Sequence, residues 1–170
     1  SLLTSLANLP PQAIAPENMG HYRRSDRSGI IIIGSYTQKT TEQLNHLLQQ
    51  PRITGLEIPI EQLTTANLSH HAQTLNSQIH HHWHQNHTPV LYTSRAPAPK
   101  ASPILITQII TQIIHTLPTQ ISYLISKGGT TTNNAFTQSL NLTTVRLLGQ
   151  IIPGVSLVTI PNNNPQYPSL

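Results

Sequence analysis

Six consecutive residues, Lys127-Gly128-Gly129-Thr130-Thr131-Thr132, put a cation, two glycines and three hydroxyls together in a pattern suited to holding an anion. Adjacent glycines let the backbone take φ > 0 and approach a ligand with no Cβ in the way. An apolar run, Ile121-Ser122-Tyr123-Leu124-Ile125, precedes them, and a helix is expected from about Asn133 and Asn134. The stretch therefore reads as strand, glycine turn, helix start. Unpaired N–H groups at such a helix start, helped by the helix dipole, favour negative charge. A Gly-Gly pair can equally be a bare βα turn, so the elements around it have to separate the two readings.

Ile30-Ile31-Ile32-Ile33 is a β-branched run suited to a strand buried on both faces, and it ends in Gly34-Ser35. Thr40-Thr41-Glu42-Gln43 fits a capping box with Thr40 as N-cap, and Leu44, Leu47 and Leu48 continue an amphipathic helix. A strand is expected at 53–60, a long helix from Glu61 to about His84, and a strand at 89–92 that ends in Thr93-Ser94-Arg95. Beyond a proline-rich loop at 97–103, Ile106, Ile109, Ile110, Ile113 and Ile114 mark a helix with a wide apolar face. Two more strands are expected at 143–148 and 155–160. This alternation predicts an α/β fold, a three-layer αβα sandwich with a mostly parallel or mixed sheet. That sheet should carry the strands near 30–34, 89–93, 121–126 and 143–148. Ligands of such sheets sit outside the carboxyl ends of the strands. Ser35, Thr93-Ser94-Arg95 and the glycine turn all fall on that edge. Ser35 and Gly129 should then lie within one or two strand spacings of each other, about 4.8 Å per spacing.

The chain has 170 residues, enough for one domain with an appended segment. Residues 1–28, rich in Pro, Arg and Gly, read as a linker or arm, and 29–170 as the domain. With one Trp and one Phe the core must be aliphatic, and with 8% charged residues the surface must be Thr, Gln, Asn, Ser and His. The net charge of +4 has an uneven origin: all five carboxylates, Glu17, Asp26, Glu42, Glu57 and Glu61, precede Gln62. Phosphoryl transfer usually needs a group to position or deprotonate the acceptor, and past Glu61 no carboxylate can do so. The sequence also lacks the Gly-x-x-x-x-Gly-Lys-Ser/Thr pattern of P-loop proteins. The cations are scattered, with no stripe and little aromatic interleaving, which argues against nucleic acid. No cysteine is present, which excludes disulfide and thiolate chemistry. The longest uninterrupted apolar run, Ile30 to Ile33, is too short to span a bilayer.

The run His80-His81-His82-Trp83-His84-Gln85-Asn86-His87 puts His80 and His84 on one helix face, with His87 a turn further on. That is metal-ligand spacing, but no carboxylate or cysteine is near to complete or orient a site. The run also precedes a helix end, where histidine suits the dipole. It reads as a solvated face rather than a metal centre.

Four groups of residues occur in order: Ile33-Gly34-Ser35-Tyr36 with Lys39 to Leu44, then Tyr92-Thr93-Ser94-Arg95, then Lys127-Gly128-Gly129 with Thr131, then Leu148-Gly149-Gln150 with Pro153-Gly154-Val155. Over roughly residues 29–160 the chain resembles the C-terminal, nucleotide-binding domain of the four-carbon acid sugar kinases. That family was long catalogued as a domain of unknown function, and some members carry a type III effector label. The resemblance implies a cytoplasmic two-domain kinase that phosphorylates tetronate or oxo-tetronate sugar acids with ATP and Mg²⁺. It carries ATP contacts over to Ser35, Gly128, Gly129, Thr130 and Thr131. The sugar-acid site and the catalytic acidic residue would belong to an N-terminal domain outside this sequence, so this chain alone should not phosphorylate anything. The expected partners are ATP and a small sugar acid, with no nucleic acid and no membrane, and homo-oligomer formation is left open. Thr130 and Thr132 stand where the family more often has Ile or Glu and then Ser. The sequence is further expected to stop short of a last Gly-Asn loop that completes the family's pocket. A member that keeps the fold without turnover is the alternative.

Overall fold

The structure is a computed structural model describing residues 13–95, 102–161, 164, 166 and 167. The chain divides into two compact units, residues 25–143 and residues 1–24 with 144–170. Within the larger unit the order is β1 (Ile30–Ile33), α1 (Gln38–Leu48), β2 (Ile53–Ile58), α2 (Leu68–His84), β3 (Thr88–Thr93), α3 (Pro103–His115), β4 (Leu124–Lys127) and α4 (Gly129–Asn134). A π turn over Ala135–Ser139 continues α4. The four strands form one parallel sheet in the order β2-β3-β1-β4, flanked by helices as a three-layer sandwich requires.

β1 is an interior strand of that sheet, and all four of its isoleucines are buried, as their unbroken run demands. Successive side chains point to opposite faces. Ile31 and Ile33 pack with Leu44 of α1 and with Val90, with Leu47, Leu48, Ile53 and Tyr92 around them. Ile30 and Ile32 must face the other layer. α2 lies against β2 and β3 and beside α3. It buries Leu68, Ala72, Leu75, Ile79 and Trp83, and α3 buries Ile109, Ile110, Ile113 and Ile114. Each such aliphatic side chain contributes about 1.5–3 kcal/mol by leaving water. The lone tryptophan fixes the end of α2: Trp83 Nε1 donates to the Ser28 carbonyl at 2.8 Å, and the Arg27 guanidinium lies 5.2 Å from the ring centre.

Local chemistry moved several boundaries. α1 starts earlier than expected because Thr37, not Thr40, is its N-cap, the Thr37 hydroxyl accepting from the Thr40 N–H at 3.3 Å. α2 starts at Leu68 rather than Glu61. Before it, Ile60–Gln62 forms a 3₁₀ turn, and Thr64 and Asn67 bond each other's backbone N–H groups reciprocally. Such side-chain-to-backbone bonds compete with helix. Pro103, read as the end of a loop, instead opens α3 behind the Ser102 cap, where a missing N–H costs nothing. The rest of that loop, 97–101, lies outside the described residues, as do residues 1–12 of the arm and most of the C-terminal tail. β4 occupies Leu124–Lys127, shifted toward the glycine turn from the expected 121–126.

The strand expected at 143–148 does not join the parallel sheet. In the smaller unit β5 (Arg146–Ile152) pairs antiparallel with β6 (Val155–Thr159) across a tight turn in which Gly154 has φ +86°. Two strands joined by so short a connection can only run antiparallel; a parallel pair needs a crossover of a dozen residues or so. In the same unit Ala13 bridges to Gln150, the Ile14 N–H donates to the Gln150 carbonyl at 2.7 Å, and Pro16–Tyr22 forms a 3₁₀ helix. Among the described residues no helix is long and apolar enough to cross a membrane.

Candidate anion-binding site

β1 and β4 are neighbours with Ile33 opposite Lys127, and the Gly34 N–H donates to the Lys127 carbonyl at 3.1 Å. Ser35 and Gly129 are each two residues beyond that rung, so the two turns leave the sheet side by side. The contact is close. A Cβ placed on Gly128 would lie 3.3 Å from the Ser35 nitrogen, and one on Gly34 would lie 1.9 Å from Thr131 Oγ1. Gly34 is therefore glycine to admit the Thr131 side chain, which is buried against β1.

The helix expected near Asn133 begins at Gly129, with Gly128 as N-cap. Gly128 has φ +117° and ψ 129°, a conformation that side-chain-bearing residues avoid. Gly129 takes no positive φ, and a Cβ there would meet nothing within 4 Å. The two glycines thus do different work: Gly128 bends the chain, and Gly129 leaves open space above the helix start. Among the described residues no side chain caps this end. The first intrahelical bond runs from the Thr132 N–H to the Gly128 carbonyl at 2.8 Å. The N–H groups of Gly129, Thr130 and Thr131 precede it and find no carbonyl within the helix. Gly129 and Thr130 are exposed, Gly128 and Lys127 are half-buried, and Thr132 Oγ1 donates back to Ser126 Oγ at 2.9 Å.

Ser35 joins three loops. Its Oγ shares a hydrogen bond with Thr40 Oγ1 at 3.1 Å, and that hydroxyl is 2.9 Å from Thr37 Oγ1. Its carbonyl accepts from Arg95 Nη1 at 2.6 Å, bringing in the end of β3. The Arg95 guanidinium lies 5.9 Å from the Tyr92 ring centre. Burial lowers its pKa, while the nearby Tyr92 and Glu57 raise it. Tyr92 titrates above the usual phenol range, through burial first and then the charge and hydrogen bond of Glu57. Sequence reasoning had put Arg95 on this edge without giving it a role, and had missed the part played by Gly34. Strand-end position was the signal for Arg95; nothing in the sequence marked Gly34 apart from other strand-end glycines.

The histidine run is engaged in ordinary surface bonding. His80 Nε2 lies 2.8 Å from the Thr116 carbonyl, His87 Nδ1 lies 3.0 Å from Thr54 Oγ1, and His82 stacks on His87. Among the described residues no three His, Cys, Asp or Glu side chains converge to hold a metal ion. A cleft lined in part by Ser69, Gln108, Gln112 and His115 opens on the helical flank of the larger unit.

Comparison with known proteins gives one family. A family model described as a nucleotide-binding C-terminal domain matches residues 30–169, most of the chain and all of the strands that build the turn. No curated protein and no solved structure matches the chain.

Proposed function

From a chain that belongs to the nucleotide-binding C-terminal domain family, within the four-carbon acid sugar kinases, we propose that the turn of Gly128 to Thr131, with Ser35 beside it, binds the phosphates of ATP. The observation that carries this reading is the pairing of a helix start without a side-chain cap, open above Gly129, with the Gly34-Ser35 turn of the adjacent strand. In it, the N–H groups of Gly129, Thr130 and Thr131 donate to phosphate oxygens, and Lys127 adds a full positive charge. The Thr131 hydroxyl is turned toward Gly34, so its contribution is its backbone. The turn itself contains no carboxylate. Magnesium would therefore travel with the phosphates and its own water rather than be held by this chain.

The reaction we assign is transfer of the terminal phosphoryl group of ATP to a hydroxyl of a four-carbon sugar acid. This chain's part is to hold and orient the nucleotide. In this reading the sugar acid and the group that removes the hydroxyl proton belong to another domain, as in the family the chain resembles, and the glycine turn itself offers no carboxylate for that step. Residues 1–28 are proposed as the arm toward that domain, and 29–170 as the nucleotide-binding domain. A turn without a carboxylate equally suits a member that binds nucleotide without turnover, and ATP binding by the whole protein with no phosphoryl transfer would select that reading.

Isothermal titration of the whole protein with ATP and Mg²⁺, parent against Gly129→Val, tests the site. A Cβ at Gly129 meets no atom within 4 Å among the described residues, so the fold should persist while phosphate space is filled. Affinity should fall about tenfold or more, the worth of one charge-assisted hydrogen bond. Equal affinities would place the nucleotide elsewhere.

A further inference from the structure

Three consecutive residues at the carboxyl end of β3 carry buried polar atoms that find no hydrogen-bond partner among the described residues: Thr93 Oγ1, Ser94 Oγ, and both Nε and Nη2 of Arg95. Thr93 is 0% exposed and Ser94 8%, so solvent does not satisfy the hydroxyls. Arg95 is the most telling of the three. Its Nη1 is committed to the Ser35 carbonyl, which ties the side chain to the end of β1. The side of the guanidinium left over carries Nε and Nη2, whose N–H vectors run parallel. That is the fork which grips two oxygens of a phosphate or carboxylate at once. Charged donors buried without acceptors are costly, and native proteins seldom keep them without a use. Glu57 influences Arg95 through its charge, but among the described residues no acceptor meets the Nε and Nη2 edge.

Ser35 fixes where this fork lies. Its nitrogen faces Gly128, its carbonyl holds Arg95, and so one residue separates the fork from the glycine turn. Building on the nucleotide reading above, we infer that Arg95 is an oxyanion-binding residue of the same site. Its Nε and Nη2 edge takes two oxygens of an anionic group, either a nucleotide phosphate or the carboxylate of the sugar acid. The edge then holds Lys127 on β4 and Arg95 after β3 on either side of β1, which suits a polyanionic substrate set.

The test titrates the whole protein and its Arg95→Gln and Arg95→Lys variants with MgATP, ADP, adenosine and threonate, a four-carbon sugar acid. Gly129→Val runs in parallel, and circular dichroism melts confirm folding. If the oxyanion is a nucleotide phosphate, Arg95→Gln weakens ATP and ADP about tenfold or more and leaves adenosine unchanged. If it is the carboxylate, threonate weakens and ATP does not. In either case Arg95→Lys fails to restore binding, because an ammonium can still reach the Ser35 carbonyl but has no fork. Full recovery with Lys, equal loss of adenosine, or unchanged binding of every probe by folded variants overturns the inference. Sensitivity to Gly129→Val with none to Arg95→Gln would sink this inference alone. The reverse pattern would sink the glycine-turn reading and leave Arg95 standing.

Discussion

Gly34→Ala should destabilise the larger unit through one side chain, and the structure says which. The added Cβ would sit 1.9 Å from Thr131 Oγ1, 3.1 Å from its Cβ and 3.3 Å from its Cγ2. Ordinary carbon contacts need about 3.5–4.0 Å, so the overlap with the hydroxyl is about 1.5 Å or more. Threonine is stiff at χ1, and turning it exchanges the hydroxyl for a methyl group rather than for empty space. Overpacking of this kind costs about 1–3 kcal/mol. For a chain of this length each kcal/mol lowers the melting temperature by about 2–4 °C. Thr131→Ala removes the clashing Oγ1, so the double variant should recover part of the loss. A double-mutant cycle in urea should show a coupling energy of about 1 kcal/mol between the two positions, well outside the few tenths expected of independent sites. Additive costs, or a Gly34→Ala effect below about 0.5 kcal/mol, would mean that the β1 and β4 turns are not packed as described.

The two glycines of the turn should respond in opposite directions. Gly128→Ala, at φ +117° and with its Cβ 3.3 Å from the Ser35 nitrogen, should lose about 1–3 kcal/mol in urea unfolding. Gly129→Ala, helical and unobstructed, should be neutral or gain up to about 1 kcal/mol, and equal effects at both would contradict the division of labour between them. His82 supplies a pH test. Burial, then the charges of His81 and His87, hold its pKa below the ordinary histidine value. A depressed histidine pKa means the folded state binds the proton less readily than the unfolded chain, so its share of stability is intact above about pH 6.5 and is lost as the pH falls through the lowered value. His82→Gln should therefore shrink the drop in melting temperature between about pH 7 and pH 5, modestly because the ring is half-exposed, and an unchanged slope would remove His82 as a contributor.

The parts of the fold that were legible in the sequence are those set by burial. Ile30 to Ile33 had to be an interior strand, and the isoleucines at 109, 110, 113 and 114 had to be a helix face, because no other arrangement takes them out of water together. Boundaries decided by a single side-chain-to-backbone bond were not legible. Thr37 and Thr40 are equally good caps by type, and only the bond from the Thr40 N–H shows which one serves. Thr64 and Asn67 are ordinary helix-surface residues until their reciprocal bonds delay α2 by about two turns. The misplacement of β5 had a similar origin. Its apolar pattern suited a buried strand, but the Pro153-Gly154 turn, visible in the sequence, already required an antiparallel partner.

The site divides along the same line. That the Gly34-Ser35 turn and the glycine turn would leave the sheet side by side followed from topology alone, since adjacent parallel strands deliver their carboxyl ends to one place. What topology could not supply was the direction in which each group at that place would point. Thr131 reads as a hydroxyl donor in the sequence, yet the absence of a side chain at Gly34 draws its Oγ1 inward and leaves only its N–H for a ligand. Arg95 falls on the ligand edge in the sequence with no role attached, and its bond to the Ser35 carbonyl ties it to the end of β1. Both outcomes depend on one peptide segment, Gly34-Ser35. Any change that shifts it by a few tenths of an ångström must move the β4 turn and the Arg95 fork together. If the edge is the proposed anion site, a substitution there should weaken its anions in parallel, whereas substitutions at Gly129 or Arg95 should discriminate among them.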